Sequence, residues 1–176
     1  MPGADLSALA NLLPDLSTYL LSFVFLGIYW NNHHHVLHAT SHINGAVLWA
    51  NLHLLFWLSL VPFATRWMSG TDFATLPVAI YGIDLLLSAL AFSILVQTII
   101  ACQPSDSVLA KAFARDAKGK ISLVMYAVAI PVTFLNRGLA LGIFALVALM
   151  LFVPDRRIES RLSQKTRGES LPDGLD

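Results

Sequence analysis

The sequence predicts an all-α fold, a polytopic membrane helix bundle of about five transmembrane helices, and three observations carry that expectation. The chain has 176 residues, of which 56% are hydrophobic. Only 12% are charged, where a soluble domain carries about a quarter. The charges are absent from long uninterrupted runs rather than thinned throughout, and the mean hydropathy is +0.67. That is the pattern of a chain folded in lipid. The 11 Lys and Arg balance the 11 Asp and Glu, so no basic excess points to nucleic acid. Cys102 is the only cysteine, which leaves no intrachain disulfide and no cysteine-based metal site. Met1 to Asn11 has no Lys or Arg ahead of the first apolar run and so lacks the charged leader of a cleavable signal peptide.

Five apolar segments follow in order: about Pro14 to Asn31, Ala46 to Met68, Leu76 to Ala101, Ile121 to Leu135 and Gly138 to Val153. The second and third are long enough to cross a hydrocarbon core of about 30 Å at about 1.5 Å per residue. The last two are shorter. Asn136-Arg137-Gly138 between them reads as the turn of a two-helix hairpin, with Pro131 kinking the helix before it. These segments divide the chain into a linker-like N-terminus (1–13), a helix bundle (14–154) and a polar tail (155–176).

Charge gives the orientation. All the basic residues except Arg66 and Arg137 fall between Gln103 and Lys120 or after Asp155. Placing those two stretches in the cytoplasm satisfies the positive-inside rule, and five crossings then put the N-terminus outside. The Gln103–Lys120 stretch is amphipathic if helical, with Val108, Ala112 and Phe113 set among Lys111 and Arg115, and suits the inner membrane surface.

Polar residues inside or beside these runs are the candidates for function. The run from Trp30 through Asn31, Asn32, His33, His34 and His35 ends the first segment in amides and imidazoles. His34, His38 and His42 recur at every fourth position, a stripe that can hold zinc or another borderline cation if the helix continues. Ala39-Thr40-Ser41 and Asn44-Gly45 instead favour a chain break, which makes these histidines an interfacial turn, and no metal is assigned. Asn51, His53 and Ser59 lie within the second segment and must face protein or water. Asn51 and Ser59 are read as one polar seam for interhelical hydrogen bonding. Asp84 is the only acid well inside a helix. It lies at a different depth from His53, which argues against a direct ion pair. No nucleotide loop, His-Glu-x-x-His motif, paired nucleophile and base, or Thr-Val-Gly-Tyr-Gly filter is present.

Taken together, four stretches resemble the prokaryotic branch of the transmembrane protein 175 family, small relatives of lysosomal potassium channels. They are Gly27-Ile28-Tyr29-Trp30-x-Asn32-His33-His34, then Leu48-Trp49-x-Asn51 through Ser59-x-x-Pro62-Phe63-x-Thr65, then Tyr81-Gly82, and last Val153-Pro154-Asp155-Arg156-Arg157-Ile158-Glu159. The similarity runs from about Leu12 to Glu159. It implies a tetrameric, potassium-preferring cation channel of six helices per subunit. The family's first helix lines the pore, with an Arg-x-x-x-Phe-Ser-Asp signature and a ring of bulky aliphatic side chains. This chain contains no Phe-Ser-Asp. The resemblance therefore covers helices two to six, and either a late start or a five-helix variant explains it. By resemblance, the histidine at the end of helix two bonds toward the first helix, and His33 and His34 match it.

The expected function is a potassium-permeable channel subunit, or a truncated relative of one, embedded in the cell membrane as a homo-oligomer. Potassium is then the permeant ion and no cofactor is required. Trp30, Asn32, His33, His34, Asn51 and Ser59 are the expected helix-packing residues. If the first segment replaces the pore helix, Leu20, Phe23 and Leu26 are its candidate rings. Two alternatives stand beside this. One is a non-conducting accessory subunit that assembles with a six-helix relative. The other is a haem- or metal-binding membrane protein with His34 and His53 as axial ligands.

Overall fold

The computed structural model describes residues 6–38, 40, 43–103 and 117–152, which form five helices. They are α1 (Leu6–His38), α2 (Gly45–Gly70), α3 (Thr75–Ala101), α4 (Ala117–Leu135) and α5 (Arg137–Phe152). His42, most of the Gln103–Lys120 segment, and the tail with its Val153–Glu159 motif lie outside the described residues.

Helices α2, α3 and α4 have the length and composition to cross a membrane, and α5 is a shorter apolar helix of 16 residues. The protein is a multi-pass membrane helix bundle. Helix α1 departs most from expectation. At 33 residues it begins before Pro14 and runs beyond Asn31 through the histidine cluster. Its polar end stays helical because the Asn32 amide donates to the Ile28 carbonyl one turn back, 2.8 Å away. The Thr40 hydroxyl closes the last turn on Val36 O at 2.8 Å.

The interhelical breaks follow from local chemistry. Asn44 caps α2: its Oδ1 accepts from the Val47 amide at 3.0 Å, while its Nδ2 donates to Cys102 Sγ at 3.1 Å. One side chain thus starts α2 and ties it to the end of α3. Asn44→Ala is expected to cost about 1 kcal/mol through the lost cap, read as a lower melting temperature in detergent. Asn44→Asp keeps the acceptor and is expected to lose less. Between α2 and α3 the chain turns through Asp72 and Phe73, both at positive φ (49° and 56°), a region most side chains avoid. The Arg137 guanidinium reaches the Phe73 carbonyl at 3.4 Å and braces that turn. The α4–α5 hairpin is tighter than the sequence suggests, because Asn136 alone separates the helices and its Oδ1 accepts from the Leu139 amide at 3.1 Å.

Helix α3 is the centre of the bundle. It packs on α2, α4 and α5, while α1 lies mainly along α2. Leu54, Val61, Leu85, Leu95, Ile99, Tyr126 and Val147 are fully buried and fill the interior. Gly82 matters here because the Phe144 ring lies over it: a Cβ at that position would come within 2.6 Å of the ring and 3.2 Å of Ile130 Cγ1.

Candidate functional site

Helix α1 is fastened to α2 at two points. Near one end, Thr18 Oγ1 donates to Ser69 Oγ at 3.0 Å. Near the other, His33 Nε2 lies 2.6 Å from Asn51 Oδ1. Thr18 and His33 are separated by about 22 Å of helix, and Asn51 and Ser69 by about 27 Å, at 1.5 Å per residue. The two pins therefore fix an antiparallel pair along most of its length. With Asn51 Oδ1 as the acceptor, His33 donates from Nε2. Both side chains are half-buried.

Lipid makes this pair more than decoration. Neither an imidazole nor an amide is accommodated singly in hydrocarbon, and each satisfies the other across the helix interface. Below the pair, Tyr29 stacks on Phe25 at a centroid separation of 6.5 Å, Phe25 meets the Tyr81 ring edge-on at 6.3 Å, and Tyr29 meets Phe92 at 6.5 Å. These rings carry α1 onto α3.

The remaining residues of the cluster take different positions. Trp30 is 63% exposed and stacks on His34 at 5.3 Å, which stacks in turn on His38 at 5.8 Å. The three rings form a column along the exposed face of α1. Asn32 is occupied by its own helix. His33 is thus joined to α2, while His34 faces outward. Among the described residues no group of three or more His, Cys, Asp or Glu side chains is placed to hold a metal ion.

On α2 the structure separates residues that the sequence groups. Asn51 turns toward α1, but Ser59 is exposed and its hydroxyl donates to the Phe56 carbonyl of the same helix at 2.7 Å. His53 is exposed in the single subunit and accepts from Trp57 Nε1 at 3.0 Å. His34 and His53, the pair required by a bis-imidazole haem site, are not brought together. Asp84 is buried, with neither carboxyl oxygen within hydrogen-bonding distance of a partner. Leu20 and Phe23 are exposed on α1, whereas Leu26 turns inward and packs against the core. The three therefore do not form a common face.

Sequence reasoning missed the interior tyrosines. Tyr29, Tyr81 and Tyr126 arrive from α1, α3 and α4, and all three are buried. The available signal was spacing: Tyr81, Asp84 and Ser88 recur at three and four residues on α3, one face of one helix.

These features define a multi-pass helical membrane protein whose first described helix is hydrogen-bonded to the second at two points, Thr18 and His33. Residues 2–62 match the family model described as "Endosomal/lysosomal potassium channel TMEM175". The chain is 45% identical over 162 residues to a potassium channel of Chryseobacterium sp. (strain P1-3), covering 92% of this chain and 84% of that one. It is 32% identical over 98 residues to a potassium channel of Streptomyces collinus (strain DSM 40733 / Tue 365), covering 53% of this chain and 48% of that one. No solved structure matches. The chain belongs to the TMEM175 family.

Proposed function

We propose that this chain is a potassium-permeable channel subunit of the cell membrane, acting as a homo-oligomer with potassium as the permeant ion. The observation that carries this reading is the family relationship, which extends over 84% of the Chryseobacterium potassium channel. The tetramer is the assembly that the family resemblance implies. The N-terminus is assigned to the outside and the C-terminus to the cytoplasm. Support for that orientation comes from Lys118 and Lys120 at the start of α4 and from the basic residues on either side of α4 and α5 in the sequence.

The packing of the bundle supports conduction between subunits rather than through one. Leu54, Leu85, Leu95 and Ile99 close the interior of a single copy completely, and a packed core of this kind offers an ion no path. Copies meeting around an axis would instead enclose one, walled by apolar side chains that constrict it. Helix α1 offers such a surface, since Leu16, Tyr19, Leu20, Phe23 and Val24 are all exposed in one subunit. In this reading the His33–Asn51 and Thr18–Ser69 pins hold that surface at a fixed angle to the scaffold of α2 to α5.

The test is potassium efflux from liposomes reconstituted with the purified chain. Efflux that exceeds that of protein-free vesicles, with slower sodium movement under the same gradient, is the expected result. Absence of ion movement from correctly folded, oligomeric protein would leave the non-conducting scaffold reading in its place.

A further inference from the structure

Four of the five buried serine and threonine hydroxyls among the described residues are satisfied by their own helix. Thr65 donates to Val61 O at 2.7 Å, Thr133 to Ala129 O at 3.0 Å, Ser22 to Thr18 O at 3.1 Å and Ser122 to Gly119 O at 2.8 Å. Four residues break this rule. Asp84 Oδ1 and Oδ2, Ser88 Oγ, Tyr29 OH and Tyr126 OH are all buried without a hydrogen-bond partner. Their residues are 5%, 0%, 5% and 0% exposed.

These atoms belong to one region. Ser88 lies one turn beyond Asp84 on α3. Tyr29 from α1 and Tyr81 from α3 both pack on Phe25, and Tyr81 and Tyr126 from α4 both pack on Phe144, which gathers the three tyrosines beside the turn of α3 that carries Asp84. Helix α5 contributes the Phe144 ring to the same layer, edge-on to Tyr81. Nearly every buried polar atom in a native interior has a partner, so each of these oxygens calls for one.

We propose that Asp84 and Ser88, together with the Tyr29 and Tyr126 hydroxyls, form a buried proton-binding site occupied by water. An ionised carboxyl with no cationic partner is strongly disfavoured inside a membrane span, whereas the neutral acid is tolerated when hydrogen-bonded. The bound proton makes Asp84 a donor as well as an acceptor. The hydroxyls are likewise donors and acceptors. Because neither Asp84 nor Ser88 has a partner among the described residues, a bridging molecule with both donors and acceptors satisfies them, and water does so with up to four hydrogen bonds. The site lies inside one subunit and does not depend on the potassium reading above.

Infrared spectroscopy of the full chain in lipid vesicles tests this at neutral pH, in ordinary water and after exchange into heavy water. The expected spectrum contains a protonated carboxyl carbonyl band that is lost in Asp84→Asn and shifts promptly in heavy water, as an acid in contact with exchangeable water must. In Ser88→Ala, which retains the acid, the band is expected to move because a hydrogen-bond partner has been removed. That variant keeps the test decisive if Asp84→Asn does not fold. Three results would overturn the proposal: only ionised carboxylate bands, as an alkali cation held by Asp84 would give; an acid band indifferent to heavy water, which means a dry site; or a band unaltered by Ser88→Ala.

Discussion

Phe144→Ala is expected to destabilise the bundle by about 3–5 kcal/mol, the range for deleting a buried aromatic side chain. The size of the effect follows from where the ring sits. Its centroid lies 5.7 Å from that of Tyr81 and 6.1 Å from that of Tyr126, so it joins α5 to both α3 and α4. It also occupies the space that Gly82 leaves open, where a Cβ would stand 2.6 Å from it. Helix α5 has only 16 residues, and its other buried side chains, Ala140 and Val147, are smaller. Gly82→Ala alone crowds the ring and is expected to cost about 1–3 kcal/mol. Combined with Phe144→Leu, the alanine methyl finds room that the shorter side chain has vacated. The double variant is then expected to be more stable than the sum of the two single losses implies. Denaturation of the four proteins in detergent measures this coupling. Strict additivity would mean that glycine and ring do not share the space described above.

The second large effect is expected at His33. His33→Ala leaves Asn51 Oδ1 at the helix interface without its donor, a loss of about 1–3 kcal/mol. Asn51→Ala removes the other partner and is expected to cost a similar amount. The double variant should be little worse than either alone, because one hydrogen bond is lost in each case. His33→Gln supplies an amide donor from a side chain of related reach and is expected to recover part of the loss. Under the proposed function the consequence extends to conduction. Thr18–Ser69 still holds α1 at its other point of attachment, but its histidine end is free to shift, and potassium efflux is expected to fall below that of the wild type. Efflux and melting temperature measured on the wild type and these four variants check both statements. His34→Ala is the matched control, since His34 is exposed and, among the described residues, stacks with Trp30, His35 and His38 of its own helix. It should leave both readings nearly unchanged.

Much of this architecture is legible in the sequence, because lipid imposes long apolar runs and each run became a helix. Boundaries were legible where a specific residue sets them. Asn44 ahead of Gly45 and Asn136 ahead of Arg137 both act as caps through their own Oδ1 atoms. The ends of α1 were not legible. Amides and imidazoles mark where a segment leaves hydrocarbon, but they do not stop a helix whose side chains bond back to its own carbonyls.

The site shows the same division. His33 and Asn51 stand out because a polar side chain in a membrane helix must find a partner, and they find one another. Ser59 met the same criterion and found its own backbone, an option open to a hydroxyl one turn from a carbonyl but not to an imidazole. Leu26 follows Leu20 by six residues, which carries it about 240° around the helix from Leu20 and into the core. The cluster around Asp84 lies beyond what sequence alone conveys, since it depends on α1, α3 and α4 meeting at one depth. Within a single apolar run, Tyr29 and Tyr126 look like any other aromatic core residue.

The central claim, that copies of this chain form a potassium-permeable path, is tested most directly by current recording across a planar bilayer with potassium on one side and sodium on the other. The expected result is a current through the purified wild-type chain whose reversal potential shifts in the direction of potassium permeation. A folded, oligomeric preparation that carries no current, or one whose current reverses at zero voltage under that gradient, would contradict it.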